Sequence, residues 1–477
     1  MLADLLEGAD AHIGEENVRV TGINSDSRAI AFGEAFFALP GSAHHGDEFA
    51  ARAVERGARI VVSDREPSKP LGVETVVVKD VRGAYARAAA RLFGPQPETI
   101  LGVTGTNGKT TVASFVRQIW QQLGIKGASI GTLGLQSAQG LEPGALTTPD
   151  PLTLHRELAR LKGEGVDHVV IEASSHGLDQ RRLDGVRFKV VAFTNLSRDH
   201  MDYHENDEAY GAAKLRLFKE LMAEGGAAVV NGDDMGHMPF LFGAMERGAT
   251  PLSVGREGAY IEISDIEREG WGQKVTGRLV GEPMEFHLPL AGEFQAANAV
   301  MAAAMVVAGG ADKDAVIPAL EKLEGARGRL EKVADHKGGA IFVDYAHTPD
   351  ALKTALSALR PFVSGKLRVV FGAGGDRDQG KRAQMGEIAC ALADAVIVTD
   401  DNPRTEDAAA IRAQIIEACP RAVEVAPRQD AIHRVVAEMG KGDVVLIAGK
   451  GHEDYQIIGT VKHPFSDHEQ VAKAIQG

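Results

Sequence analysis

A chain of 477 residues exceeds what one hydrophobic core usually serves, and at about 150 residues per domain it reads as roughly three domains. Fifty-two basic against sixty-six acidic residues leave a formal net charge of −14, which argues against a general nucleic-acid or membrane-surface role but leaves small anionic substrates open to local arginines. The only two cysteines, Cys390 and Cys419, lie in helical patterns and offer neither a disulfide framework nor a CxxC metal site, which suits a reducing cytoplasm.

The N-terminal stretch "MLADLLEGADAHIG" is acidic and lacks the basic start and long apolar core of a secretory signal, so a cytoplasmic protein is expected. Short apolar runs, "AFFAL" and "ARIVVSD", then alternate with the helical pattern "EFAARAVERG". They predict a small α/β unit over residues 1–97, closed by a linker, "FGPQPET".

The next segment, "LGVTGTNGKTTVASF", places glycines between an apolar strand and a helical pattern. Gly105 and Gly108 allow backbone N–H groups to point inward around an anion, and the following helix offers the positive end of its dipole. Lys109 adds a charge near the β- and γ-phosphates, and Thr110 is placed to hold Mg²⁺. Five residues rather than four separate Gly102 from Gly108, so this is a variant of the usual phosphate loop.

From Glu98 to Leu330, strand patterns "HVVIEAS", "FKVVAFTNL" and "GAAVVNGDD" alternate with helices, one of them signalled by Pro151. That alternation predicts a mostly parallel sheet with helices on both faces, and the pattern from Thr250 to Leu290 suggests added antiparallel strands. Glu172 falls at a strand end, where a carboxylate either helps hold Mg²⁺ or is simply solvated. Ser174, His176, Gln180 and Arg182 form a polar cluster on the loop after it, with His176 either steadying the turn or touching a ligand. Asp199, His200, Asp202 and His204 crowd "NLSRDHMDYH", which suggests a second metal or an anion-handling loop; the spacing matches no zinc pattern, so magnesium fits better than zinc. Lys214 reads, from its residues alone, as an exposed helix lysine. "ANAVMAAAMVVAGGAD" is too short to cross a bilayer and predicts a buried helix, so no membrane insertion is expected.

Residues 331–477 again run from apolar strands into polar loops: "LRVVFGAGGDRDQGKR", "AVIVTDDNPRTED" and "DVVLIAGKGHEDYQ". Ligand crevices in open α/β sheets lie outside the carboxyl ends of strands, so the three loops should converge. Arg377 and Arg404 on two of them, near Asp401, Asn402 and Glu453, suit a zwitterionic amino acid bearing more than one carboxylate. Pro403 stiffens the turn that aims Arg404.

Taken together, "GVTGTNGKTT", "EASSHGLDQRRL", "FTNLSRDHMDYH", "YGAAKLRLF", "GRLE", "DYAHTPDAL", "GGDRDQGKR", "DDNPR" and "AGKGHEDYQ", in this order from about Ser25 to Asp467, resemble the Mur ligases of peptidoglycan synthesis. The resemblance implies an α/β protein of three domains: an N-terminal one gripping a UDP-linked substrate (1–97), a central P-loop ATPase with a mostly parallel sheet (98–330), and a Rossmann-like C-terminal one (331–477). It implies ATP-dependent amide-bond formation through an acyl phosphate on the D-glutamate γ-carboxylate of UDP-MurNAc-L-Ala-D-Glu, with meso-diaminopimelate as the amine. A monomer acting on these small-molecule substrates in the cytoplasm, with no nucleic-acid partner, is expected.

By the same resemblance, Gly105, Thr106, Asn107, Gly108, Lys109, Thr110, Thr111, Asn298, Arg329 and Asp344 match ATP positions. Thr110, Glu172 and His200 match metal positions for two Mg²⁺ ions, and Lys214 matches a lysine carbamylated by CO₂. The UDP-MurNAc-dipeptide positions are Ser25, Ser27, Ser42, Ala43, His44, Thr147, Thr148, Ser174, Gln180 and Arg182. Those for diaminopimelate are Arg377, Asp401, Asn402, Pro403, Arg404, Gly449 and Glu453, where Arg404 can fork the carboxylate that lysine lacks. Sister ligases that add lysine or D-alanyl-D-alanine, or a folylpolyglutamate-type synthetase, are the alternatives. A P-loop nucleotide switch is disfavoured, because no NKxD-type segment is present and a switch has no use for the C-terminal arginine loops.

Overall fold

The computed structural model describes residues 1–9, 18–41, 44–197 and 203–476. In the N-terminal part, strands Ile23–Asn24, Ala35–Phe37, Ile60–Ser63 and Glu74–Val77 pair in sequence order, all parallel. Helix Val81–Phe93, capped by Asp80 through Gly83 N at 3.0 Å, lays Val81, Tyr85 and Ala88 on Phe37, Val62 and Val76. The Tyr85 and Phe37 rings lie 5.1 Å apart.

In the central part, strand Thr99–Thr104 runs parallel between Phe188–Phe193 and His168–Glu172 inside an eleven-stranded sheet. All six of its residues are buried, as a parallel strand covered on both faces requires. Helices Lys109–Gln122 and Glu293–Ala308 cover one face, and Pro151–Gly163 covers the other. Glu293–Ala308 is the buried helix expected from its apolar run. Strands Ile261–Glu269, Gly272–Leu279 and Glu282–Leu288 extend one edge in antiparallel pairing, as the alternating pattern suggested.

The C-terminal sheet has the order Glu331–His336, Gly339–Asp344, Val444–Ala448, Leu367–Phe371, Ala395–Val398, Val423–Glu424. All its pairs are parallel except the first. That first strand was not foreseen: it is polar, and its hairpin depends on positive φ at Lys337 (50°) and Gly338 (74°), the requirement of a type I′ turn. Cys390 lies in helix Gly380–Leu392, and Cys419 closes Ala408–Ala418 rather than lying inside it. Among the described residues no helix is long and apolar enough to cross a membrane.

Candidate functional site

The phosphate-type loop leaves strand Thr99–Thr104 and enters helix Lys109–Gln122 through two glycines in left-handed conformations, Gly105 (φ 142°) and Gly108 (φ 87°). A Cβ at Gly105 would stand 1.8 Å from Thr194 Oγ1, and one at Gly108 would stand 2.7 Å from Asn298 Oδ1. Only glycine allows these approaches. Thr194 Oγ1 donates to Asn107 O at 2.6 Å, Asn107 N to Asn195 Oδ1 at 3.0 Å, and Thr106 N to Asn195 O at 2.9 Å. The residues after the Phe188–Phe193 strand therefore hold the loop from beneath, while Thr111 is buried in the first helical turn.

Lys109 Nζ donates to the carbonyls of Gly105 (2.9 Å) and Thr106 (2.8 Å). Lys214 Nζ reaches the same Gly105 carbonyl at 2.8 Å and stands 4.2 Å from the Tyr210 ring centroid. Two ammonium groups thus meet at the start of the loop. With 1 % exposure, Lys214 is not the solvent-facing lysine its local pattern suggested. Helix Asp207–Arg216 presents Tyr210 and Lys214, four residues apart, to the loop, and Thr106 Oγ1 lies 3.1 Å from Tyr210 Oη.

Glu172 is 2 % exposed and takes Thr110 Oγ1 (2.9 Å), Thr132 N (2.9 Å) and Thr132 Oγ1 (3.1 Å) as donors. The residues after it form a short helix, Ser175–Asp179, rather than the loop expected. Ser174 caps it by accepting Gly177 N at 3.1 Å, and Gln180 ends it. Thr147 Oγ1 lies 3.0 Å from Thr132 Oγ1, and Thr148 Oγ1 donates to Glu172 O at 2.7 Å and lies 3.0 Å from Ser174 Oγ. Arg182 donates to Thr148 O at 2.8 Å and to Gln180 Oε1 at 2.7 Å. Burial lowers the Arg182 guanidinium from its ordinary range, and Arg82, which donates to the Pro40 carbonyl, acts in the same direction. His176 and Tyr203 have ring centroids 4.0 Å apart, and His204 is buried beside them. Asp199, His200 and Asp202 lie outside the described residues, as do Ser42 and Ala43.

In the turn after strand Ile23–Asn24, Ser27 is buried, and Ser25 hydrogen-bonds the Tyr85 phenol, which burial pushes up to about 12. His44 is exposed, with Nδ1 3.0 Å from Glu48 Oε2. Nearby, His45, Asp47 and Asp64 gather at metal-ligand spacing, but Arg65 Nε reaches both carboxylates at 3.2 and 3.3 Å and supplies their counter-charge.

Arg329, just ahead of the C-terminal sheet, links the two: its Nη2 donates to Thr110 Oγ1 at 3.3 Å while its guanidinium stacks 4.6 Å from the ring of Tyr345 in the C-terminal part. Asp344 accepts Leu330 N at 2.5 Å and Ala346 N at 2.7 Å. Burial raises its carboxyl above the usual range, against the opposing charge of Arg329.

The three charged loops do converge. Asn402 O accepts Gly375 N at 2.9 Å, and Arg404, in a left-handed conformation (φ 50°), donates through Nη1 to Gly375 O at 2.7 Å. A Cβ at Gly374 would stand 3.0 Å from Arg404 Nη1 and 4.0 Å from Arg377 Cγ, so both arginines border that glycine. Likewise one at Gly375 would stand 2.0 Å from Pro403 O, and one at Gly449 2.5 Å from Asp401 Oδ2. Asn402 Nδ2 donates to Glu453 Oε2 at 3.0 Å. Lys450, which the sequence reading passed over, is fully buried between them and donates to Asn402 Oδ1 (2.9 Å) and Glu453 Oε2 (3.2 Å). Its signal was a lysine between Gly449 and Gly451 with an acid three residues on. Burial opposes ionisation of Asp401, but the charges of Lys450 and Arg428 outweigh it and hold that carboxyl below the usual range.

Three family models match along the chain: Mur ligase family, catalytic domain, over residues 19–92; Mur ligase middle domain, over 103–306; and Mur ligase, glutamate ligase domain, over 328–451. A UDP-N-acetylmuramoyl-L-alanyl-D-glutamate--2,6-diaminopimelate ligase of Bradyrhizobium diazoefficiens is 51 % identical, with 99 % of each chain covered. One of the same name from Mesorhizobium japonicum is 49 % identical over 96 % of each. A solved structure of a protein of that name is 34 % identical, with a TM-score of 0.71 across 100 % of this chain and 98 % of that one.

Proposed function

The chain belongs to the Mur ligase family, and from that premise we infer that it joins 2,6-diaminopimelate to the D-glutamate γ-carboxylate of UDP-MurNAc-L-Ala-D-Glu at the expense of ATP. The observation that carries the choice of amine is the pair Arg377 and Arg404 beside Gly374, which also borders the carbonyl of Asn402, itself bonded to Glu453. A diaminopimelate has two amino-acid heads. One supplies the attacking amine, and the other offers a carboxylate to a guanidinium fork and an ammonium to carboxylates.

In this reading the γ-phosphoryl group of ATP passes to the glutamate γ-carboxylate, giving an acyl phosphate. The amine then attacks the acyl carbon, and phosphate leaves through a tetrahedral intermediate. The backbone from Gly105 to Thr111 cradles the phosphates, and Lys109 neutralises the charge that spreads over the transferring oxygens. Asn298, Arg329 and Asp344 contact the nucleotide, Asn298 beside Gly108 and Arg329 beside Thr110 at the phosphate loop. Thr147, Thr148, Ser174, Gln180 and Arg182 hold the muramyl peptide, with Ser25, Ser27, Ser42, Ala43 and His44 at its UDP end.

A hard cation suits the buried Glu172 carboxylate, which faces only hydroxyl and amide donors among its described contacts. Glu172, Thr110, His200 and a carbamate formed from CO₂ on Lys214 would hold two Mg²⁺ ions, which neutralise the β- and γ-phosphates. We assign residues 1–97 to the UDP end, 98–330 to ATP and 331–477 to the amino acid. We further propose a cytoplasmic monomer that acts on these small-molecule substrates.

The test is phosphate release from ATP with UDP-MurNAc-L-Ala-D-Glu, Mg²⁺ and one amine at a time. Release coupled to product with meso-diaminopimelate alone is expected. Preference for L-lysine would overturn the assignment of Arg404, and silence with every amine would overturn the reaction.

A further inference from the structure

We propose that Lys450 is a positioning residue for the incoming amino acid: its ammonium fastens the 401–404 turn to the 449–453 loop and fixes the aim of Asn402 and Glu453. The proposal rests on the reading of these loops as the amino-acid pocket.

Lys450 follows strand Val444–Ala448 and is flanked by Gly449 (φ 114°) and Gly451 (φ 54°). Its side chain has no exposure. A lysine is almost never fully buried without partners, and these partners are functional groups of the pocket. An ammonium only donates, so the Asn402 amide must turn Oδ1 toward Lys450 Nζ at 2.9 Å. Ile457 N donates to the same oxygen at 2.9 Å. That orientation sends Asn402 Nδ2 to Glu453 Oε2 at 3.0 Å, and Lys450 Nζ closes the triangle on Oε2 at 3.2 Å. With Oε2 occupied by two protein donors, recognition of a substrate ammonium falls to Oε1.

The surrounding charges leave this task to Lys450. Arg428, a second buried cation that acts on Asp401, is gripped by both oxygens of Asp467 at 2.7 Å and donates to Ala448 O at 2.9 Å. Lys450 acts on Asp401 more strongly than Arg428 does, and His347 contributes less than either. Tyr455 has Lys462 Nζ 4.1 Å and Lys450 Nζ 5.8 Å from its ring centroid, and the charge of Arg404 also acts on its phenol. Without Lys450, Asp401 would lose the cation that acts on it most strongly, Glu453 its ion-pair partner, and the Asn402 amide the contact that sets its direction.

The test is Lys450→Met, measured for the KM of each substrate and for the pH dependence of kcat/KM for meso-diaminopimelate. We expect the KM for diaminopimelate to rise about tenfold or more, while those for ATP and the UDP-linked substrate stay within about twofold. Removing the cation that acts most strongly on Asp401 raises the pKa of that carboxyl, so the acid limb of the profile should move to higher pH by up to about one unit. A structural role alone would lower the amplitude without moving the limb. Lys450→Gln keeps a donor but no charge, and it carries the same expectations if the Met variant is not recovered folded. Lys450→Arg, which keeps the charge, should leave the limb in place. An unchanged KM for diaminopimelate with an unmoved limb in a folded variant, or equal losses for all three substrates, would overturn the proposal. Lack of diaminopimelate-dependent turnover by the unaltered enzyme would instead overturn the pocket reading beneath it.

Discussion

Thr110 Oγ1 donates to Glu172 Oε2 at 2.9 Å, across 62 residues of sequence, and so joins the first turn of the phosphate-loop helix to the end of the neighbouring strand. The same hydroxyl lies 3.3 Å from Arg329 Nη2, and the Arg329 guanidinium stacks 4.6 Å from the Tyr345 ring of the C-terminal part. Glu172→Gln keeps the shape and removes the charge. We expect kcat to fall by about 10²- to 10³-fold, and the Mg²⁺ concentration for half-maximal rate to rise by about 10- to 100-fold. The fold should survive, because replacing a buried charge by a neutral isostere among hydrogen-bond donors leaves no unpaired ion. Magnesium titration of the initial rate decides it, and an unchanged requirement with full activity would remove Glu172 from the metal site.

Lys214 presents its Nζ to the Gly105 carbonyl from a buried position, which places any carboxylate built on that amine at the mouth of the phosphate loop. Lys214→Ala should therefore lose nearly all product formation, with partial recovery by added acetate or another short carboxylate. Assays in CO₂-depleted buffer, with and without added bicarbonate, give a second readout. Substantial turnover by the alanine variant would count against Lys214 as an organiser of the metal.

His155 is buried on helix Pro151–Gly163, and its Nε2 donates to Asp184 O at 3.2 Å. Burial pushes its pKa down to about 4 from an ordinary value of 6.5. Above pH 6.5 neither state holds the proton, and the group leaves stability independent of pH. As pH falls from about 6.5 toward 4, the unfolded chain takes up a proton that the folded chain refuses, so stability declines by at most about 3 kcal/mol from this residue. His155→Gln retains a donor for Asp184 O but does not titrate. Its thermal midpoint should fall less steeply across that window, and identical slopes for both proteins would show that His155 is not the source.

What could be read from the sequence was whatever chemistry is written locally. The spacing of Gly105, Gly108, Lys109 and Thr110 between strand and helix announces an anion site before any folding is known. The passage from apolar strand to charged loop, three times after Leu330, announced a common crevice, because parallel strands deliver their carboxyl ends to one side. Burial of Lys214 could not be read this way. It depends on helix Asp207–Arg216 packing against a loop more than a hundred residues earlier, and the helix is polar enough to pass for a surface one. Strand Glu331–His336 escaped for a related reason, since an edge strand with no fully buried residue carries little apolar pattern. Helix Ser175–Asp179 is too short to show periodicity, although its cap, Ser174, was in plain view.

Arg404 is held by backbone as much as by side chain: its amide donates to Ile457 O at 3.1 Å, its Nη1 to Gly375 O at 2.7 Å, and its φ of 50° turns it out of the extended course set by Pro403. One edge of the guanidinium is thereby fixed, which orients the remaining N–H groups for a carboxylate. Truncation to alanine should raise the KM for diaminopimelate by about 30-fold or more, the equivalent of roughly 2 kcal/mol for a charge-assisted contact, with little change for ATP. Arg404→Lys should recover only part of the loss, because an ammonium cannot bond to the Gly375 carbonyl and present a planar fork together. Initial rates with each substrate varied in turn separate the possibilities. Equal increases for ATP and diaminopimelate would mean that Arg404 only braces the turn, while a shift confined to diaminopimelate assigns it to the carboxylate that distinguishes this substrate from lysine.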